Sequence, residues 1–329
     1  MKTKTNQPQR WGESRYYSLD HYLKTSFGRK LYKLALEGGM SCPNRDGTLD
    51  TRGCIFCSAG GSGEYAAERF STVTEQIESA KHLIEHKVPD SPLPSYIAYF
   101  QSYSNTWVPQ GHDPVSWLRE LFLPAILHPD VAVLSIATRP DCLTADICDL
   151  LAELNQIKPV WVELGLQSCH ESTARWMRRG YPTAVFSQAV ALLHSRSIPV
   201  IAHLIIGLKD ETQEDILDSV RYINQLSVDG VKFHLLHVLK DTDLAMEWEQ
   251  DQLHILSEDE YIRILLACLS ELSPHVVVHR ITGDGPADLL LAPAWSRHKK
   301  TVLNHIRHEM KTQDIWQGKN YKEEKLDAK

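Results

Sequence analysis

Between residues 30 and 240, six short apolar runs alternate with stretches of helical spacing. The strand-like runs are Lys30–Glu37, Tyr96–Gln101, Val131–Thr138, Val160–Gln167, Pro199–Ile206 and Val231–Val238. The first helix signal spans Thr72 to His86. It opens on Thr72-x-x-Glu75, a capping box, and sets Val73, Ile77, Ala80 and Ile84 on one face. Asp113-Pro114 starts a second, because Asp caps and Pro suits the first turn. Thr144 caps a third, and two more cover Ala184–His194 and Gln213–Leu226. Strands alternating with helices imply βαβ units and a parallel sheet. Six such units fit an open doubly wound sheet or an incomplete barrel, and periodicity does not decide between them.

After Lys240 the rhythm changes. Ser257-x-x-Glu260 caps a helix carrying Ile262, Leu265, Leu266 and Leu269, then His275–Ile281 reads as a strand and Trp295–Met310 as a helix. The sequence thus divides into a basic N-terminal segment (1–29), a βα core (30–240), an α/β C-terminal extension (241–318) and a polar tail (319–329). Residues 1–15 read as a tail and Tyr16–Phe27 as a short helix. At 43% hydrophobic and 23% charged the composition is globular. No apolar run approaches the roughly 20 residues of a membrane span, and the polar start has no signal core, so a cytoplasmic location is expected. Net charge is -7, against a generally basic nucleic-acid binder. The ends are basic all the same: residues 1–33 hold eight Lys/Arg against two Asp/Glu, and 296–329 nine against five. Such ends can meet phosphates or simply be solvated.

Seven cysteines, three of them clustered, do not read as a disulfide framework. Cys42, Cys54 and Cys57 lie in the loop Gly38–Glu64, spaced C-x11-C-x2-C with Phe56 before the last. The loop leaves the end of the first strand, the end at which parallel α/β folds place their sites. Three thiolates there suit a metal. A structural zinc site needs a fourth protein ligand and the loop offers no histidine, whereas a four-iron cluster held by three cysteines leaves one iron free. Gly60-Gly61-Ser62-Gly63 could cradle a phosphate, but no P-loop lysine follows, so it reads as a flexible loop. Cys142, Cys148, Cys169 and Cys268 read as ordinary small buried residues.

On the fourth strand, Val160, Val162, Leu164 and Leu166 share one face, and Trp161, Glu163, Gly165 and Gln167 the other. Polar groups on an inward face must bond one another or a ligand; the strand's position favours a ligand. His203 raises the same question more weakly. His234 and His237 alternate across the sixth strand, so at most one is expected to face a site.

The residues together resemble the radical S-adenosylmethionine (SAM) superfamily. The cysteine loop, with CPNRDGT and RGCIFC, joins AYFQSYSNT, ATRPDCL, VELGLQS, HLIIGL and RITGDGPADLLLAPAW in a pattern similar to the YhcC/YtqA-like branch. That branch is related to the radical SAM domain of the Elongator catalytic subunit and to oxygen-independent coproporphyrinogen oxidase. The resemblance covers about Lys30 to Asn304; the first cysteine gap, eleven where three is usual, marks the branch. It implies an incomplete (β/α)6 barrel with the C-terminal extension. It implies that Cys42, Cys54 and Cys57 hold a [4Fe-4S] cluster and that SAM chelates the fourth iron. Phe56 would lie near the adenine and Gln101 near the methionine amino group, although the family's Gly-Gly-Glu is Phe100-Gln101-Ser102 here. Gln167 and Arg179 match residues of the oxidase-like relatives, His203 stands where those relatives have an acidic SAM ligand, and Glu163 is implied as a ribose or substrate contact. The implied chemistry is reductive cleavage of SAM to a 5′-deoxyadenosyl radical that takes a hydrogen atom from a substrate, with an electron donor of flavodoxin or ferredoxin type. The relatives point to tRNA and to a wobble-uridine side chain, with His279, Arg280, Trp295, Lys299 and Lys300 as substrate-side contacts. The alternatives are a radical enzyme acting on a metabolite and a non-catalytic zinc or iron–sulfur module.

Overall fold

The structure, a computed structural model, describes residues 9–61, 71–89, 93–283 and 285–322. Among these, seven parallel strands form one curled sheet in the order β1-β2-β3-β4-β5-β6-β8, an incomplete barrel. The strands are β1 (Tyr32–Leu36), β2 (Tyr96–Phe100), β3 (Val131–Thr138), β4 (Val160–Gln167), β5 (Val200–Ile206), β6 (Gly230–Leu235) and β8 (Val277–Arg280). The six expected core strands form, and the seventh is the strand expected at His275–Ile281 in the C-terminal extension. The C-terminal extension does not stand apart: its strand β8 pairs with β6, Gly230 opposite Val277. The run Val231–Val238 is broken after Leu235. Its end, β7 (Val238–Leu239), turns away to pair antiparallel with β9 (Leu290–Ala292).

Helices α2 (Val73–Ile84), α3 (Pro114–Leu127), α4 (Ala145–Asn155), α6 (Thr183–His194) and α7 (Gln213–Gln225) cover the outside. The capping box at Thr72 forms as expected, and others form at Thr212 and at Ser257, ahead of α9 (Glu258–Glu271). Thr144 precedes α4, but its hydroxyl does not cap the helix. Two short helices escape the sequence reading, α5 (Glu171–Trp176) and α8 (Asp243–Glu249). α10 (Lys299–Thr312) is the last, preceded by a 3-10 turn at Ala294–Arg297. The outward sides of the strands, such as Val160, Val162, Leu164 and Leu166, are fully buried in the main core under these helices.

The N-terminal segment is not a tail from residue 9 onward. Trp11 is buried and stacks on Tyr17 at 5.7 Å, and Arg15 bonds Asp314 at 2.8 Å. α1 (Leu19–Phe27) starts at Ser18, whose side chain accepts from His21 N, and stops at Gly28, whose φ of 71° favours glycine. The helix sets Leu23 against Leu31, Ile97, Val133, Trp161 and Ile201, an apolar cluster at the strands' N-terminal ends. Burying such a cluster is worth roughly 25 cal/mol per Å², so this helix stops the lower end of the barrel. The chain beyond α10 folds back as well: Gln317 donates to the carbonyls of Ser273 and Val276 at 2.6 and 2.8 Å. Residues 1–8, 323–329, Ser62, Gly63 and Asp284 lie outside the described residues.

Candidate active site

The cysteine loop fastens itself despite its long first gap. Leu49 N and Asp50 N donate to Pro43 O at 2.8 and 3.3 Å, and Gly53 N to Asn44 O at 2.7 Å. The exposed turn 46–52 is therefore a self-contained excursion that returns the chain beside Cys42. Cys57 N donates to Cys54 O at 3.0 Å, closing a tight turn between the last two cysteines. Three side chains brace this frame. Asn44 donates to Cys54 Sγ at 3.5 Å and to Arg178 O at 2.6 Å. Arg45 donates to the carbonyls of Cys57 and Ser58 at 2.6 and 2.7 Å. It passes so close to Gly53 that a Cβ there would meet its guanidinium at 2.8 Å. Arg139, held by Asp141 at 2.9 and 2.7 Å, aims Nη1 at Cys42 Sγ from 3.8 Å.

The three thiols are half-buried and form no disulfide. Burial, then the neighbouring Cys57, pushes the Cys54 thiol up to about 12, with Cys42 adding to the effect and Arg139 opposing it. Thiolates are the metal-binding form, so holding them together here calls for a bound cation. Among the described residues, one set of ligating side chains gathers its donor atoms within 4.8 Å of one another, Glu78, His128 and Asp130 on the outer layer. Lys81 bonds both carboxylates of that set, at 3.0 and 2.6 Å, and already supplies their countercharge. The three cysteine sulfurs are not gathered within that distance, and among the described residues no fourth protein ligand joins them, as a closed zinc tetrahedron would require.

Beneath the loop lies a cavity of about 290 Å³ inside the barrel. Its walls are layered by strand alternation. The apolar stopper with Ile97, Val133, Trp161 and Ile201 is lowest. Two residues further along the strands, or one residue after His279 on β8 where its register with β6 shifts, comes a polar layer to which seven strands contribute: Lys33, Tyr99, Ser135, Glu163, His203, Lys232 and Arg280. Glu163 is its hub and is fully buried. Its Oε1 accepts from Lys33 at 3.1 Å and Ser135 at 2.9 Å; its Oε2 accepts from His203 at 2.9 Å and from Lys232. Lys232 also donates to Tyr99 OH at 3.1 Å, and Lys33 and Lys232 both lie over the Tyr99 ring, at 4.6 and 4.5 Å. Burial opposes ionisation of Glu163, but the two lysines and His203 outweigh it and hold the carboxyl well below its usual range. Burial and then Lys232 push His203 down to about 4, because the Glu163 charge is already shared with two ammonium groups.

Above this layer, Phe56, Gln101, Gln167 and Arg179 line the cavity with the three cysteines. Gln167 sits at a positive φ of 66°, at a register shift between β4 and β5. A Cβ on Gly165 would meet its amide at 2.8 Å, so the glycine leaves the glutamine its place. Arg179 is almost wholly buried, and its guanidinium is engaged by the carbonyls of Leu166 and Ser168, both at 2.8 Å, Tyr181 at 3.0 Å and the Thr183 hydroxyl at 2.9 Å. It braces the end of β4. Glu163 likewise meets protein partners at both oxygens, so the polar face of β4 is answered largely from within.

Among the substrate-side candidates, Arg280 alone lines the cavity. His279 is placed in the stopper layer, edge-on to Trp161 at 5.6 Å. Trp295 donates to Leu256 O at 3.0 Å and packs on Tyr261 at 5.6 Å, so its ring is part of the outer packing and not a stacking platform in the chamber. Lys299 and Lys300 are exposed in the first turn of α10 and do not line the cavity. His234 and His237 both line it, against the alternation rule, because β6 ends between them. Lys33, Tyr99 and Lys232 were missed as site residues; the inward alternation of β1, β2 and β6 was the available signal.

The match to known proteins follows this geometry. Residues 51–223 match the radical SAM superfamily model, and residues 228–312 its radical SAM C-terminal domain. The chain is 42% identical over 307 residues to YtqA of Bacillus subtilis, covering 93% of each. The chain belongs to the radical SAM superfamily. It is also 33% identical to YhcC of Escherichia coli, over 85% of this chain and 87% of that one. Among solved structures, the archaeal Methanocaldococcus infernus Elp3 matches with a TM-score of 0.62 over 88% of this chain and 64% of that one, at 16% identity, a likeness of fold. The protein is therefore a radical SAM enzyme, and its cofactors are a [4Fe-4S] cluster and SAM. The superfamily match begins after Cys42, so the first cysteine's place rests on the loop geometry above. Radical SAM enzymes need an electron donor. No helix among the described residues is long and apolar enough to cross a membrane.

Proposed function

We propose that this radical SAM enzyme modifies tRNA, acting on the side chain of a wobble uridine. The observation that carries the reading is the likeness to Elongator complex protein 3, 21% identical in Schizosaccharomyces pombe over 88% of this chain. The chain spans 60% of that relative, so the rest of the relative's activity is not transferred.

Cys42, Cys54 and Cys57 would hold the cluster, and Phe56, Gln101 and Gln167 would line the SAM site above the polar layer. Bound there, cluster and SAM supply one-electron cleavage of the sulfonium and hydrogen-atom abstraction from a substrate. The chain's own part is positional. Arg45, Asn44 and Arg139 hold the cysteine loop, and Arg179 braces the strand end beside SAM. The α1 stopper keeps water from rising beneath the chamber. His203 accompanies Glu163 as a neutral imidazole and would form part of the floor beneath the SAM site. The reading carries with it a cytoplasmic location and a donor of flavodoxin or ferredoxin type.

Anaerobic reconstitution with dithionite and SAM tests the chemistry. Wild type should release 5′-deoxyadenosine and Cys57→Ala should not; equal yields refute the assignment. Nucleosides of tRNA from cells with and without the protein test the substrate. An unchanged wobble nucleoside, together with tRNA binding that does not weaken as salt rises, would point to a metabolite instead.

A further inference from the structure

The cavity floor is rich in donors and poor in acceptors. Glu163 is the one carboxylate among the described lining residues, and four donors fill both of its oxygens. Lys232 is a donor only, and the Tyr99 hydroxyl, which accepts from Lys232, turns its own hydrogen toward Glu163, so neither leaves an acceptor for a ligand. Beside them stands His234, one residue pair higher on β6, its ring 5.0 Å from that of His203. Its Nε2 is buried and has no hydrogen-bond partner among the described residues, yet the side chain lines the cavity. A buried polar atom without a partner is costly, and the ring that carries this one borders the space a ligand would fill. Burial, with His203, Arg280 and Lys232 in support, keeps His234 neutral, so one ring nitrogen carries a hydrogen to donate.

We infer that the floor is an oxyanion subsite, in which a compact carboxylate or phosphate of the substrate lies among His234, the Lys232 ammonium and Arg280. Two ammonium groups share one carboxylate, so the layer keeps a net positive charge, and the oxyanion supplies the acceptors that the floor lacks. The subsite rests on the reading of this cavity as the substrate chamber. It deepens that reading by giving the reacting group a charge: the substrate brings an acid near its point of hydrogen abstraction.

The test uses the full-length, cluster-loaded protein with SAM bound and ring-15N histidine. Acetate, methyl phosphate and the neutral acetamide are titrated separately at constant ionic strength. The His234 resonance is assigned by its loss in His234→Gln, and affinity is read in parallel by calorimetry. Acetate or methyl phosphate should shift the His234 resonance saturably, and acetamide should not. The tighter of the two anions identifies the oxyanion. Lys232→Met and His234→Gln should each weaken that anion at least tenfold, with Lys232→Arg restoring most of it. Should Lys232→Met fail to fold, His234→Gln, at the cavity surface, decides. The inference is overturned if acetamide shifts the resonance as far as the anions, if neither anion saturates, or if His234→Gln binds as wild type. Release of 5′-deoxyadenosine under dithionite is measured on the same preparation. Release without anion binding refutes the subsite alone; anion binding without release refutes the radical SAM assignment of the chamber and leaves the subsite standing.

Discussion

Replacing Glu163 by glutamine removes one charge and almost no volume, and the polar layer makes its cost calculable. Four donors converge on this fully buried carboxylate, two of them ammonium groups: Lys33, Ser135 and His203 at 2.9 to 3.1 Å, and Lys232 against the second oxygen. At about 3 Å and an effective dielectric of ~20, each unit-charge pair is worth ~5 kcal/mol gross. Desolvation offsets most of that, and removing one side of a buried pair leaves a net loss of ~3–5 kcal/mol. Lys232, 3% exposed, bears it, whereas Lys33 at 27% can turn partly to water. Glu163→Gln should therefore lower the unfolding free energy by ~3–5 kcal/mol, or the melting temperature by roughly 6–10 °C at roughly 2 °C per kcal/mol. Wild type, Glu163→Met, Lys232→Met and the double variant form a cycle, in which the double removes both charges and should lose ~2–3 kcal/mol less than the two single losses added. Urea unfolding of the four proteins, followed by circular dichroism at matched m-values, closes the cycle. A single variant within ~1 kcal/mol of wild type, or a double variant whose losses simply add, would refute the account of Glu163 as the charge on which the layer depends.

Other outcomes follow from the same geometry. Alanine at Cys42, Cys54 or Cys57 should each cut bound iron and abolish 5′-deoxyadenosine, while Cys148→Ala, fully buried under the helices, should keep its iron; iron analysis after anaerobic reconstitution decides. His203 is held near 4 against an ordinary value of about 6.5, so the unfolded chain takes up its proton first. Its contribution is complete above pH 6.5 and is lost as pH falls toward 4, by ~3 kcal/mol in all. His203→Asn should flatten stability between pH 6.5 and 4, and an unchanged slope would show that another group titrates there. Arg179→Met leaves several buried carbonyls without a donor and should cost ~3–5 kcal/mol in urea unfolding. Trp295→Ala should lower stability by ~3 kcal/mol while the folded protein binds tRNA within twofold of wild type; a larger loss of affinity would return the residue to the substrate side.

Much of this was legible because it is local. Capping boxes at Thr72 and Ser257, and the alternation along Val160–Gln167, depend on neighbours a few residues away, and they form as read. The cysteines were legible because their spacing is a motif. What escaped depends on register between distant strands. Lys33 lies 130 residues from Glu163 and Lys232 lies 69, and nothing local says that these ammonium groups meet one carboxylate. His237 misled because alternation holds only while the strand lasts, and β6 stops at Leu235. Trp295 and the basic ends were read for charge and aromaticity alone. Their packing, against Tyr261 and under the barrel through α1, is tertiary.

The polar layer also bears on how the barrel assembles. Each of seven strands delivers one side chain to a single level, and pairing Gly165 with His203, then His203 with Lys232, sets neighbours in step. A slip of one residue on any strand would turn its contribution outward among the helices. A slipped β6 would leave Lys232 in hydrocarbon and strip Glu163 of one of its two counterions at once. An apolar strand face can tolerate a shifted partner, because one Val resembles the next. A lone acid that must find its lysines cannot. The carboxylate at the centre of the chamber thus acts as a check on strand alignment, made once during folding, and the space for SAM and substrate exists only in chains that have passed it.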